Sequence, residues 1–164
     1  MTAHEIPRYH APMNLHSAGN QILIHGLLFV GVGLLWGLVV PHTPYPRLAL
    51  GAHIQLVLSG LLFLITALLL LKLPHRVGSK SLLIILTSVY LTWLMALSEV
   101  ANAWWGTTHM LPIAALQANA PGAAPWQETI VSLTHISAGL ALIAAWTLLT
   151  IGFIKSPPPK SPSP

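Results

Sequence analysis

Four long apolar runs, separated by prolines, glycines and cations, set the pattern of the chain. The first spans Gln21–Val40 and is stopped by Pro41. A stiff connection, His42–Arg47, carries Pro44 and Pro46 and leads into the second run, Leu48–Leu71. The loop Lys72–Lys80 precedes a third run, Ser81–Trp105, and the fourth covers Glu128–Ile154. Each reaches or exceeds the roughly 20 residues that cross a hydrocarbon core of about 30 Å as a helix. The pattern predicts an all-α membrane protein, a four-transmembrane-helix up-down bundle over 21–154. Residues 1–20 read as a polar N-terminal tail whose end, from about Met13, can open the first helix. Residues 155–164 are a proline-rich solvated tail. The stretch Gly106–Gln127, with Pro112, Pro121 and Pro125, is mildly apolar and is expected to lie on the bundle.

Composition agrees with this pattern. The chain is 54% hydrophobic and only 6% charged over 164 residues, where soluble domains carry about 25% charged residues. That length leaves no room for a second domain. Cysteine is absent, which excludes disulfides, a thiol nucleophile and thiolate metal sites. No basic run is interleaved with aromatics, so a nucleic-acid partner is not expected. The first run is too long, and its polar, His-containing flank too long and too weakly basic, for a cleaved leader. Cations sort by loop: Lys72, Arg76 and Lys80, the tail residues Lys155 and Lys160, and Arg8 fall on one side, and Arg47 on the other. The positive-inside rule then predicts both termini in the cytoplasm.

Two features read first as packing. Gly33 and Gly37 form a GxxxG motif, which brings helices close within a bundle or between copies. Gln55, Ser59 and Thr66 line a second polar face on the second helix. Either face offers a homo-oligomer contact.

The candidate chemistry lies inside the spans. Glu99 is one of three acidic residues in the chain, and a carboxylate in a span costs roughly 2.5–3.5 kcal/mol on insertion scales, so it calls for a partner. Helical spacing puts Ser88, Thr92, Glu99 and Asn102 on one stripe, Glu128, Ser132 and His135 on another, and Asn14, Gln21 and His25 on a third. His53 stands with Gly60 on the second helix. His25, His53, Glu99 and His135 are thus the groups each helix offers to a common interior. Counting about 1.5 Å per residue from the non-cytoplasmic ends, His53, Glu99 and His135 lie about 7–10 Å deep. His25 lies about 22 Å deep and joins them only if its helix is displaced or another copy supplies it. Each histidine can also simply hydrogen-bond a neighbouring helix. Two functional readings suit the group: general acid–base work by a buried Glu99, or a divalent metal held by His53, Glu99, His135 and His25. Glu128 reads as a carboxylate favoured by a helix N-terminus. His4, His10, His16, His42, His75 and His109 read as surface residues, and Trp104, Trp105 and Trp126 as an interfacial belt.

The opening half also carries a resemblance. His25-Gly26-Leu27-Leu28-Phe29, Gly33, Gly37, Pro41 and Tyr45-Pro46-Arg47-Leu48-Ala49-Leu50-Gly51-Ala52-His53 are similar to hydroxylaminobenzene mutase and its membrane homologues. Tyr45 stands where that family has Asn. Trp93, Asn102, Met110–Ala115 and Pro125–Glu128 are weaker matches, and the likeness covers most of Ile24–Ala138. The resemblance implies a membrane-bound isomerase of bacterial nitroarene degradation that converts hydroxylaminobenzene to 2-aminophenol without an organic cofactor. It touches His25, Arg47, His53, Asn102, Trp126 and Glu128. On this reading Glu99, His53 and His135, with His25 and Asn102, act on the N–OH oxygen, as acid or through a metal. Trp93, Met95, Arg47 and Trp126 would hold the small aromatic hydroxylamine. Three rivals stay open on the residues alone: a haem or redox membrane protein with His ligands, a small proton- or ion-conducting subunit, and a structural partner subunit.

Overall fold

The computed structural model describes residues 14–156; His4, His10, Arg8, Lys160 and most of both tails lie outside it. It is a four-helix transmembrane protein with no strand among the described residues. Helix α1 runs from Leu15 to Val39, α2 from Pro46 to Lys72, α3 from Ser79 to Trp105 and α5 from Pro125 to Ile154, with a short α4 at Pro112–Gln117 between the last two. All four long helices are long and apolar enough to cross a membrane.

Polar and proline residues at the ends extend the helices beyond the apolar runs. Asn14 caps α1, its side chain accepting from the His16 amide at 3.0 Å, so the helix begins at Leu15 instead of Gln21. Pro46 and Pro125 occupy the first helical positions of α2 and α5, where a missing N–H is harmless. Helix α3 ends at Gly106, whose φ of 67° is left-handed. A side chain there would be strained, and it would collide with the ring of Tyr45.

The glycines of α1 are used within the chain. A Cβ on Gly33 would come within 3.0 Å of Leu56, and one on Gly60 of α2 within 2.8 Å of the Val30 backbone. These small residues let α1 and α2 pack backbone to backbone. On the Gln55–Ser59–Thr66 face, Gln55 and Ser59 are half-buried. Thr66 is buried and donates to the Leu62 carbonyl at 2.8 Å, and the Gln55 amide nitrogen is buried as well. Gly33, Gly37 and Thr66 thus make contacts within one chain.

Helix α3 is the central element. Half of its apolar window is buried, against 22% for α1 and α5. It packs on α1, α2 and α5, whereas α5 has no comparable contact with α1 or α2. Phe29 of α1 stacks on Trp93 of α3 at 3.8 Å between ring centres and meets Phe63 of α2 edge-on. The outward faces are apolar: Leu38, Leu58, Leu140 and Ile143 are all exposed, as a bilayer-facing surface requires. At the end carrying Lys72, the Lys72–Lys80 loop is tied to α5, the Arg76 amide donating to the Gly152 carbonyl and the Ser156 hydroxyl to the Pro74 carbonyl. His75 belongs to this clip, accepting from the Val77 amide and donating to the Leu70 carbonyl. It is therefore half-buried and not the free surface residue its loop position suggests.

Candidate functional site between α3 and α5

Glu99 and His135 meet. Glu99 is 1% exposed, and its Oε1 lies 2.6 Å from His135 Nε2. Two unprotonated acceptors do not approach so closely, so the pair holds a proton. His135 is oriented from its own helix: Nδ1 donates to the Val131 carbonyl at 2.7 Å. The carboxylate approaches off the ring's N–H axis, and Nε2 has no aligned hydrogen-bond partner. At the preceding residue of α3, the Ser98 hydroxyl bonds Thr134 of α5 at 2.7 Å and fixes the register of the two helices. The other oxygen of Glu99, Oε2, is buried without a hydrogen-bond partner. It faces Gly51 of α2, where a Cβ would stand 3.8 Å away.

Asn102 follows Glu99 by one turn and is fully buried. Its Oδ1 accepts from both the amide and the hydroxyl of Thr107, each at 2.8 Å, while its Nδ2 is unpartnered. The segment after Thr107 is held by Glu128, which is 4% exposed. Its carboxylate accepts from the backbone amides of Thr108 at 2.9 Å, His109 at 3.0 Å and Ala123 at 3.3 Å. Glu128 therefore clamps the 106–124 connection over the end of α3, a larger role than charge at a helix start. No one-dimensional signal marks it, because its partners are main-chain groups.

The other two histidines expected at this site have different partners. His53 Nδ1 lies 2.8 Å from the Gly33 carbonyl. A carbonyl only accepts, so Nδ1 carries the proton and the lone pair sits on Nε2. The ring fits because Gly37 has no side chain: a Cβ there would lie 2.9 Å from the imidazole. His25 Nδ1 accepts from the indole N–H of Trp93 at 3.1 Å, and its ring meets Tyr90 edge-on. The proton of neutral His25 is therefore on Nε2. Hydrogen bonds thus tie His53 to α1 and His25 to α3. Among the described residues no three His, Asp or Glu side chains gather as a metal-binding group. Of the expected donors, His53 alone presents a free ring lone pair backed by a carbonyl, the arrangement that suits a metal-ligating imidazole.

The expected ring-holding residues divide as well. Met95 is buried one turn below Glu99 on the same face of α3. Trp93 gives its ring to Phe29 and its N–H to His25, so it serves the α1 side. Arg47 lies at the outer end, donating to the Gln117 side chain of α4 at 2.6 Å. With Met110–Ala114 it lines a cleft of about 290 Å³. Trp126 is exposed and meets Trp105 edge-on.

Comparison with known proteins adds a relationship to this geometry. A family model described as styrene oxide isomerase matches residues 18–154. Hydroxylaminobenzene mutase HabA of Ectopseudomonas oleovorans is 30% identical over 132 residues, which cover 79% of this chain and 94% of that protein. Hydroxylaminobenzene mutase HabB of the same organism is 27% identical over 150 residues, 90% of this chain and 88% of its own. No solved structure matches the chain.

Proposed function

The chain belongs to the styrene oxide isomerase family, and from that premise we propose that it rearranges hydroxylaminobenzene, or a closely similar aryl hydroxylamine, to the 2-aminophenol. The names of the family and of both relatives support an isomerase-type enzyme. The observation that carries the finer reading is the proton-holding Glu99–His135 pair, buried in an apolar bundle, with an unpartnered carboxylate oxygen beside it.

The chemistry needs what this pair can give. Transfer of the pair's proton to the hydroxyl oxygen lets the N–O bond break, the electron pair leaving with oxygen as water. The aryl nitrogen cation spreads its charge into the ring. The same oxygen bonds the ortho carbon and returns a proton to the pair. The ortho C–H proton is then lost and a proton is gained at nitrogen, so substrate and product are isomers and no redox partner is consumed. In water the oxygen escapes and para attack competes; a closed apolar site keeps it beside the ortho carbon. Met95 stands beside the pair as one apolar wall. No organic cofactor is required by this route.

In the cell we place the protein in a bacterial inner membrane with both termini cytoplasmic. Lys72, Arg76, Lys80 and Lys155 lie at one end of the bundle and Arg47 at the other.

The test is direct: membranes containing the protein are incubated with hydroxylaminobenzene and the aminophenols are separated by chromatography. Predominant 2-aminophenol is expected. Unchanged substrate, or the acid-catalysed 4-aminophenol alone, sinks the reading. A second reading rests on His53, whose tautomer leaves Nε2 free to bind a divalent metal or a haem iron. Metal analysis and a visible spectrum of the purified protein, with His53→Ala beside it, test this reading. A stoichiometric metal or Soret band lost in the variant supports it, and a colourless, metal-free, active protein excludes it.

A further inference from the structure

We propose that Gln55 and Asn102 form an amide cradle for the migrating oxygen, binding the N–OH group of an aryl hydroxylamine against Glu99. The inference rests on the reading above and adds Gln55, which the sequence marks only as part of a polar face.

Among the described residues, four buried side-chain nitrogen and oxygen atoms have no hydrogen-bond partner: Gln55 Nε2, Glu99 Oε2, Asn102 Nδ2 and His135 Nε2. Buried polar groups are normally satisfied, and each exception calls for an explanation. Three of them belong to one neighbourhood, and helical spacing puts Gln55 on the α2 face that meets it. Glu99 and His135 are in contact, and Asn102 is one turn from Glu99. Glu99 Oε2 faces Gly51, and Gln55 is one turn along the same face of α2.

Direction strengthens the case. Helix α2 enters the bundle at the end where α3 leaves it, so Gln55 lies about 6 Å deeper than Gly51. Side chains on a helix lean toward its N-terminus, which carries the Gln55 amide back toward the level of Glu99. Asn102 lies on the other side of Glu99, about 4.5 Å along α3. Its Oδ1 is committed to Thr107, so the amide is fixed and Nδ2 is the end left to donate. The unpartnered set is thus two amide donors flanking a carboxylate oxygen and the nitrogen of a proton-sharing pair.

That set matches a hydroxylamine head group. The N–OH oxygen accepts from amide N–H groups, while its O–H and N–H donate to Glu99 Oε2. The donors also do a task the acid pair cannot. After the N–O bond breaks, a free water would drift from the ring; two amides hold its lone pairs and keep it over the ortho carbon. A Cβ at Gly51 would stand in van der Waals contact with Oε2, 3.8 Å away.

The test uses product ratio and oxygen origin in heavy-oxygen water. Gln55→Met removes the deeper donor with little change in volume, and Asn102→Asp keeps the Oδ1 acceptor while removing the Nδ2 donor. The full-length protein in membranes should give 2-aminophenol bearing the substrate's own oxygen. Both variants should lose about tenfold or more in turnover, release a larger share of 4-aminophenol, and carry solvent oxygen in their products. A merely structural role would lower turnover without moving product ratio or isotope. If Asn102→Asp does not fold, Gln55→Met alone decides. Wild-type product ratio and full oxygen retention in a folded Gln55→Met overturn the inference and leave the proposed reaction standing. A wild-type protein that makes no aminophenol overturns both.

Discussion

Two glutamates of this chain are buried to nearly the same degree and live in opposite surroundings. Glu128, at the rim, has three backbone amides on its carboxylate, with His109 Nδ1 at 3.7 Å. Glu99, in the interior, has one imidazole nitrogen on one oxygen and nothing on the other. The first is a saturated anion that holds a loop. The second is unsaturated, shares a proton and faces space left by a glycine. Burial alone does not separate a structural carboxylate from a reactive one; the number of donors it has already accepted does.

Conservative changes can break that contrast. Glu99→Gln should abolish most of the turnover, by about 10²–10⁴ for loss of a positioned acid–base group, while the thermal midpoint in detergent holds or rises. Near-wild-type conversion of hydroxylaminobenzene by this variant removes Glu99 from the chemistry. Glu128→Gln should behave oppositely. Facing three amide donors with a group that carries donors of its own should cost about 1–3 kcal/mol of stability, seen as a lower midpoint. Its turnover should fall far less than in Glu99→Gln, and an equal fall would erase the distinction between the two sites. The smallest effect is expected at Ser98→Ala. Cutting one bond between α3 and α5 should cost about 0.6 kcal/mol, the average for such bonds in membranes. A measurable loss of turnover at unchanged stability would show that the α3–α5 register, and with it the Glu99–His135 contact, is tuned through Thr134.

The sequence carried some of this and hid the rest for physical reasons. The four spans were legible because a bilayer demands long apolar runs. The helix ends were not, because Asn14, Pro46 and Pro125 extend helices with residues that hydropathy scores as tail or loop. Glu99 stood out because an acid in a span is expensive, and His135 because it shares its depth. His53 shares that depth too, yet it turns to Gly33, because glycines bring the α1 backbone within reach of its ring. His25 turns to Trp93, whose indole N–H it accepts. Depth along a helix is written in the sequence; rotation about its axis depends on neighbours and is not. The same gap concealed Gln55. Its stripe was identifiable as polar, but a helical wheel orders faces without saying which one looks inward.

The orphan polar atoms around Glu99 also bear on how long the protein lasts. Each buried donor or acceptor left unmatched subtracts about 1–3 kcal/mol from the native state. A molecule that bonds them binds the native form and not the unfolded one, so it returns that free energy by mass action, about 2.7 kcal/mol at a hundred times its dissociation constant. Substrate supply and protein lifetime are then two readings of one equilibrium. Cells that meet the aromatic compound would accumulate the folded protein without any change in its synthesis, because the fold is completed by what it consumes.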